Sequence, residues 1–176
     1  MAGYLGRLQE GFRAAGSSAP IHLMTSGGSL ASLETARRFP IRLVESGPAG
    51  GAILAAKVAA ARGEKKVLSF DMGGTTAKIC LIEDGTPLKS RVFEVDRQAR
   101  FLKGSGLPVR IPVIEMIEIG AGGGSLARLD ALGRIAVGPE SAGSEPGPAC
   151  YGRGGTIPTV TDADLVLGRI DPERFA

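Results

Sequence analysis

The residues best suited to chemistry stand together in the stretch FDMGGTTAKI, 70–79. Asp71 ends one apolar run, Gly73 and Gly74 follow it, and Thr75 and Thr76 precede a second apolar run that starts at Ala77. Glycines allow a tight turn and leave amide N–H groups facing outward, and successive amides of that kind surround phosphate oxygens. The two threonine hydroxyls add donors. A carboxylate at a strand end suits Mg²⁺, which takes one or two carboxylates together with water and phosphate oxygens. Asp71, Gly73, Gly74, Thr75 and Thr76 are therefore a candidate phosphate loop, with Asp71 as its metal-binding and catalytic carboxylate. The plain alternative is a hairpin turn with a capping aspartate, and the spacing alone does not separate the two.

A second constellation lies just upstream, in ESGPAGGAI, 45–53. Gly47, Ala49, Gly50 and Gly51 open a helix with small residues, which permit close approach of another backbone, and a helix start favours an anion. Gly47 and Gly50 are candidates for the phosphate side. The competing reading is a helix packed tightly on a neighbour through its glycines.

The elements that must position these residues follow from pattern. MAGYLGRLQEGFRAAG reads as an amphipathic helix with Leu5, Leu8 and Phe12 on one side. Residues 21–26 read as a strand, the stretch before Pro40 as a helix, and 41–44 as another strand. The next helix starts at Ser46 as its cap, has Pro48 in its first turn, carries a stripe of Ile53, Leu54, Val58 and Ala61, and stops at Gly63. Strands at 66–70 and 77–82 flank the candidate loop, EDGT turns, and 87–95 alternates as a further strand. A strand at 111–119 enters GAGGGS, and LARLD and RIAV are joined by a turn. The Gly/Pro-dense run 138–158 excludes an ordinary helix or central strand, and its Glu, Cys, Tyr and Arg distinguish it from a Gly/Ser linker, so it is read as an ordered loop. A last helix is capped at Thr161 and stopped by Gly168. The whole is α/β: a mixed sheet with antiparallel hairpin strands and flanking helices.

The composition agrees with a folded domain or part of a larger one. The chain has 176 residues, 43% of them hydrophobic, and its mean hydropathy is +0.12. Aromatic content is 5% with no Trp, so aliphatic side chains must fill the core. The net charge is +3, with a mild basic concentration from Arg97 to Arg110 that includes a single aromatic, Phe101, which argues against nucleic acid as a partner. Cys80 and Cys150 have no metal-ligand spacing, and the cysteine usage fits a reducing cytoplasm. No apolar run approaches the roughly 20 residues of a membrane span, and the first helix lacks the apolar centre of a signal peptide.

In the order in which they occur, SGPAGG, FDMGGTT, IGAGGGSLARLD and VGPESAGSEPGPACYGRGGTIPTVTDADLVLGRID resemble segments of the hydantoinase A / 5-oxoprolinase family. PIHLMTSGG is similar to the strand that precedes them there, and the resemblance covers nearly the whole chain. The loop also looks like the second phosphate loop of the actin, sugar-kinase and chaperone ATPase superfamily. The resemblance implies an actin-like (ribonuclease H-like) fold, incomplete here, with residues 1–64 as the end of a first lobe with its connecting helix and 65–176 as the start of a second lobe. It implies ATP and Mg²⁺ as cofactors, and an ATP-dependent hydrolase subunit that activates the carbonyl of a cyclic amide for ring opening. An ATP-dependent acetone or acetophenone carboxylase subunit, and a non-catalytic nucleotide-binding module, are the alternatives. A B-type subunit or domain, and hence a hetero-oligomer, completes the reaction in that family. An upstream phosphate loop and a later adenosine-contacting part belong to the family pattern and are not in these residues, so the isolated chain is expected to be a fragment and inactive.

Carried over by position, Gly122, Gly123, Gly124 and Ser125 would form a loop at a strand end facing the cleft, with Glu118 beside it. Two departures stand out. The family's common form after the threonines is Thr-Asp, and here the residues are Ala77 and Lys78. Many members carry Asp-x-His ahead of the Gly-rich loop, where this chain reads IEMIEIG, so a metal role there would fall to Glu115 or Glu118. Lys78 is then either a phosphate contact or a solvated strand residue. Of the remaining polar candidates, Cys80 and His22 read as structural, Cys150 as a structural thiol, Arg153 as a loop arginine, and Asp162 and Asp164 as residues that cap and charge the last helix.

Overall fold

The computed structural model describes residues 1–95 and 104–174. Of the basic stretch Arg97–Arg110, positions 97–103 lie outside the described residues. The chain divides into two compact units, one made of Met1–Ser69 and Cys80–Met116, the other of Phe70–Ile79 and Ile117–Ala176.

In the first unit, α1 (Ala2–Ala14) buries Leu5 against Leu33 and Ala36, with Ile21, Leu23 and Leu43 around them. Phe12, expected on the same face, is exposed. β1 (His22–Met24) pairs antiparallel with β2 (Leu30–Ser32). His22 is exposed rather than enclosed in an apolar strand, because β1 pairs on only one side and its first residue faces out. α2 (Leu33–Arg38) starts at Ser32, whose side chain accepts from the Thr35 amide. The run IRLV is not a strand. Pro40 holds φ near the helical value and starts a 3₁₀ turn, Pro40–Leu43, with the Arg42 amide donating to Phe39 and the Val44 amide to Ile41. A four-residue apolar run does not by itself distinguish these states.

α3 (Ser46–Ala61) begins one residue earlier than a Ser46 cap would place it. Glu45 holds the N-cap position with φ of 58° and no side-chain cap bond. Its buried face is not the stripe of large aliphatics. Ala49, Ala52, Ala56 and Ala59 are buried, whereas Leu54 and Val58 are exposed. The alanines recur three and four residues apart, one side of a helix, and they let α3 press against Cys80, Ile82 and Ile114. Ala52→Leu is expected to overpack this contact and lower stability by about 1–3 kcal/mol, while Leu54→Ala is expected to change it by less than about 0.5 kcal/mol. Urea unfolding of the two variants checks the inversion.

β3 (Lys66–Met72) and β4 (Ala77–Glu83) contribute residues to both units. The alternating run 87–95 is not one strand. It breaks into β5 (Thr86–Pro87), β6 (Lys89–Ser90) and β7 (Phe93–Val95), which find three different antiparallel partners. β5 pairs with β4, and β7 pairs with β8 (Leu107–Val109). β6 pairs with β9 (Val113–Ile114). The expected strand 111–119 likewise breaks. β9 is buried in the first unit, and β10 (Ile117–Ile119) pairs with β4 in the second. The break falls at Glu115, whose amide donates to the Leu88 carbonyl at 2.8 Å.

The second unit is built on β4, which lies between β10 and β3, and on the hairpin of β11 (Ser125–Leu129) and β12 (Ile135–Ser141). α4 (Val160–Val166) closes it. Its cap is Thr159, not Thr161. The Thr159 hydroxyl accepts from the Asp162 amide and the Asp162 carboxylate accepts from the Thr159 amide, a reciprocal capping box. Among the described residues no helix is long and apolar enough to cross a membrane.

Candidate functional site

The loop after β3 is closed by the Gly73 amide, which donates to the Thr76 carbonyl at 2.9 Å. Closure at that pair sets Met72 opposite Ala77 and Asp71 opposite Lys78. β10 continues the row, because Glu118 pairs with Lys78 in the antiparallel register. Asp71, Lys78 and Glu118 thus lie side by side on one face of three neighbouring strands. Lys78 Nζ is 3.9 Å from Glu118 Oε1.

The glycine segment that follows β10 holds the loop in place. The Gly73 carbonyl accepts from the Gly123 amide at 2.9 Å and the Gly74 carbonyl from the Gly124 amide at 2.8 Å. Gly122 lies flat on the loop: a Cβ there would stand 2.6 Å from both the Gly73 carbonyl oxygen and the Thr75 nitrogen. The Gly122 amide donates to the Ser125 hydroxyl at 2.9 Å, and the Ser125 side chain is fully buried. Gly124 and Gly123 in turn accept from the Ala142 and Thr161 amides, which ties the segment to the loop after β12 and to α4.

This arrangement sorts the donors of the loop. The Gly73 amide is used inside the turn. Among the described residues, the amides of Gly74, Thr75 and Thr76 donate to no protein atom, the hydroxyls of Thr75 and Thr76 are without a hydrogen bond, and the half-buried Asp71 carboxylate has no partner. A hydroxyl pair, three amides and one carboxylate are left together. A Cβ at Gly74 would meet nothing within 4 Å, and neither Gly73 nor Gly74 has a positive φ. The fold itself does not require glycine at these two positions, so their bareness matters to whatever approaches the backbone from outside.

The Gly/Pro run is ordered, and Asp162, read from the sequence as a residue of the last helix's start, anchors it. Besides its capping box, the Asp162 carboxylate accepts from the Cys150 amide at 2.7 Å, the Ala149 amide at 3.3 Å and the Thr159 hydroxyl at 2.8 Å. Burial alone works to raise the Asp162 pKa, but hydrogen bonds from the Cys150 thiol and amide and from Thr159 outweigh it and bring it down to about 2. The same neighbourhood pushes the Cys150 thiol up to about 11, through burial first and then through Asp162, which is the opposite of what a nucleophile needs. A carboxylate with a depressed folded pKa stabilises above its unfolded value and loses that contribution as pH falls through the folded one. Wild-type stability is therefore expected to drop between about pH 4 and about pH 2. Thermal melts of Asp162→Asn over the same range are expected to show a lower melting temperature at neutral pH and a flatter acid limb. Arg153 lies over the Tyr151 ring at 5.8 Å, Asp164 pairs with Arg169 at 3.1 Å, and Cys80 is buried in the core of the first unit.

Gly47 and Gly50 lie within the first five residues of α3, in the first unit. A Cβ at Gly47 would meet nothing within 4 Å, and one at Gly50 would make ordinary contact with Met24. Neither position is closed by packing within its unit.

The family model for hydantoinase/oxoprolinase matches residues 1–176. The chain belongs to the hydantoinase/oxoprolinase family. It is 38% identical to the caprolactamase alpha subunit of Pseudomonas jessenii over 168 residues, 96% of this chain and 23% of that subunit. It is 34% identical to the 5-oxoprolinase of Dictyostelium discoideum over 185 residues, 98% of this chain and 14% of that enzyme. A nucleotide-free acetone carboxylase, studied for ATP-dependent acetone carboxylation, superposes with a TM-score of 0.72 at 29% identity, covering 97% of this chain and 23% of that one. The chain thus spans about a quarter or less of the length of these relatives.

Proposed function

We propose that this chain supplies the second phosphate-binding element of an ATP-dependent enzyme, on an actin-like fold, that activates the carbonyl of a small cyclic amide for ring opening. The observation that carries this is the clamped loop. Gly122–Gly124 immobilise it from one side, and the amides of Gly74, Thr75 and Thr76, two hydroxyls and the Asp71 carboxylate are left without protein partners among the described residues. Preorganised donors of this kind stabilise phosphoryl charge without having to reorganise. Ser125 supports the loop from beneath by holding the Gly122 amide, and the cleft role of Glu118 and the phosphate role of Gly47 and Gly50 rest on the resemblance alone.

The residues fit Mg²⁺ held with a nucleotide rather than in a cage of their own. Among the described residues Asp71 is a hard oxygen ligand without a protein partner, and no group of three or more His, Cys, Asp or Glu stands together. When bound, Mg²⁺ would neutralise charge on phosphate oxygens. The caprolactamase and 5-oxoprolinase relatives favour a cyclic amide as the substrate and ring opening as the outcome, and a B-type subunit or domain as partner rests on the family resemblance. The acetone carboxylase likeness favours ketone carboxylation as the second reading. Under either reading, ATP would act on a carbonyl oxygen, as the family resemblance implies.

Calorimetric titration of the chain with Mg·ATP, with ATP in EDTA as the comparison, tests the phosphate reading. Saturable binding that needs Mg²⁺ supports it. A folded chain that takes up no Mg·ATP means that the clamped loop is not by itself a nucleotide site.

A further inference from the structure

The three amides left over by the loop are not equivalent. The peptide groups of the loop are planar and trans, so each N–H points away from the C=O of its own peptide. The Gly73 carbonyl shares a peptide with the Gly74 amide, and the Gly74 carbonyl with the Thr75 amide. Both carbonyls are turned onto the glycine segment, where they accept from Gly123 and Gly124. The Gly74 and Thr75 amides are therefore turned together to the opposite side, and successive amides facing one way make a concavity for an anion. The Thr76 amide belongs to the next peptide, and among the described residues its carbonyl, on Thr75, accepts from no backbone amide.

The glycine segment is held in its turn by a second layer of the same unit. The Gly123 carbonyl accepts from the Thr161 amide and the Gly124 carbonyl from the Ala142 amide, each at 2.8 Å. The Gly123 carbonyl and the Gly124 amide are one peptide, so a single line of peptides runs from Thr161, at the start of α4, through Gly123–Gly124 and Gly74–Thr75 to the Thr75 amide. Asp162 fixes the origin of that line. Its capping box with Thr159 spans Thr161. The Pro158 carbonyl accepts from the Ala127 amide at 2.8 Å, which lays 158–161 along 123–127. The same carboxylate holds the Ala149 and Cys150 amides of the Gly/Pro run, which starts just before Ala142. Asp162 itself makes no hydrogen bond to the loop.

We propose that Asp162 is a positioning residue of the phosphate site, and that the pair it aims through Thr161 and Gly123–Gly124, the amides of Gly74 and Thr75, is the pair that holds the phosphate. The inference rests on the nucleotide reading above and narrows its donor set from three amides to two. Hydrogen bonds in a line polarise one another, so a Gly74 or Thr75 amide whose own carbonyl is engaged is a stronger donor than the Thr76 amide. The arrangement also gives the Gly/Pro run and α4 a task at the site without contact to a ligand: they are the backing of the glycine segment, and Asp162 ties the two together.

The test compares wild type, Asp162→Asn and Asp164→Asn by NMR, at a temperature where each is folded. Asp164 lies on the same helix and pairs with Arg169, so it controls for a general loss of helix stability. Without ligand, the Gly123 and Gly124 amides of Asp162→Asn are expected to exchange with solvent about tenfold faster than in wild type, and those of Asp164→Asn at the wild-type rate. An aspartate that served only its own turn would alter exchange at Ala149 and Cys150 and leave the two glycines alone. Mg·pyrophosphate is then titrated. In wild type the Gly74 and Thr75 amide protons are expected to move downfield by more than that of Thr76, and Asp162→Asn is expected to bind about tenfold more weakly. Wild-type glycine exchange and wild-type affinity in Asp162→Asn overturn the inference and leave the nucleotide reading standing, as does a largest shift at Thr76. A folded wild type that takes up neither Mg·pyrophosphate nor Mg·ATP overturns the nucleotide reading, and the inference falls with it. Should Asp162→Asn fail to fold, Thr159→Val, which removes only the hydroxyl partner of the carboxylate, is read by the same criteria.

Discussion

A single methyl group at position 122 is expected to dismantle the phosphate loop. The Cβ of Gly122→Ala would stand 2.6 Å from the Gly73 carbonyl oxygen, 2.6 Å from the Thr75 nitrogen and 2.7 Å from the Gly74 carbonyl carbon. All three are backbone atoms of the loop, so no side-chain rotation relieves the clash. Either the glycine segment lifts and its amide bonds to Gly73 and Gly74 break, or the loop moves and its donors lose their common direction. Overpacking of this kind costs about 3 kcal/mol, and binding of Mg·ATP is expected to disappear. Gly74→Ala is the contrasting variant. Its Cβ meets nothing within 4 Å, so the stability should hold within about 0.5 kcal/mol. Affinity should nevertheless fall, because the methyl stands where a ligand would approach the backbone. Urea unfolding beside the nucleotide titration separates the two. Equal stability of Gly122→Ala and wild type would show that the segment is not the clamp.

Asp71→Asn is the second large effect, and it is chemical rather than structural. Asp71 is half-buried at the end of β3, and its carboxylate has no partner among the described residues, so the isosteric amide should leave the melt within about 0.5 kcal/mol of wild type. An amide carries no negative charge and is a poor ligand for Mg²⁺. Binding of Mg·ATP is expected to weaken by about tenfold or more, and binding of ATP in EDTA to be unaffected. In a longer enzyme of the proposed kind, ATP turnover should fall by roughly 10²-fold or more, as when one preorganised electrostatic group is removed. Turnover equal to wild type would remove Asp71 from the catalytic role.

The turn between β3 and β4 was legible because its signal is local. Asp71, Gly73, Gly74, Thr75 and Thr76 lie within six consecutive residues, and turn chemistry depends on little beyond neighbours. The helix stop at Gly63, the turn at Asp84–Gly85 and the hairpin after Asp130 were legible for the same reason, and each glycine there, or at position 133, has a positive φ. The family, too, was readable from the order of short segments along the chain.

Tertiary structure decided what depends on residues far apart in sequence. Size marks a candidate core face, yet α3 buries its alanines, because the surface it meets, Cys80, Ile82 and Ile114, comes from other elements and allows close approach. The run 111–119 looked continuous because apolar alternation carries no information about partners, and only pairing with β6 on one side and β4 on the other divides it. The Asp71–Lys78–Glu118 row, the seating of Gly122 on the loop and the grip of Asp162 on the Cys150 turn all join positions separated by up to about 50 residues. The sequence by itself determined which groups are present to meet a phosphate. Packing decided which of their donors remain available, since a hydrogen bond made inside the protein is one a ligand does not receive.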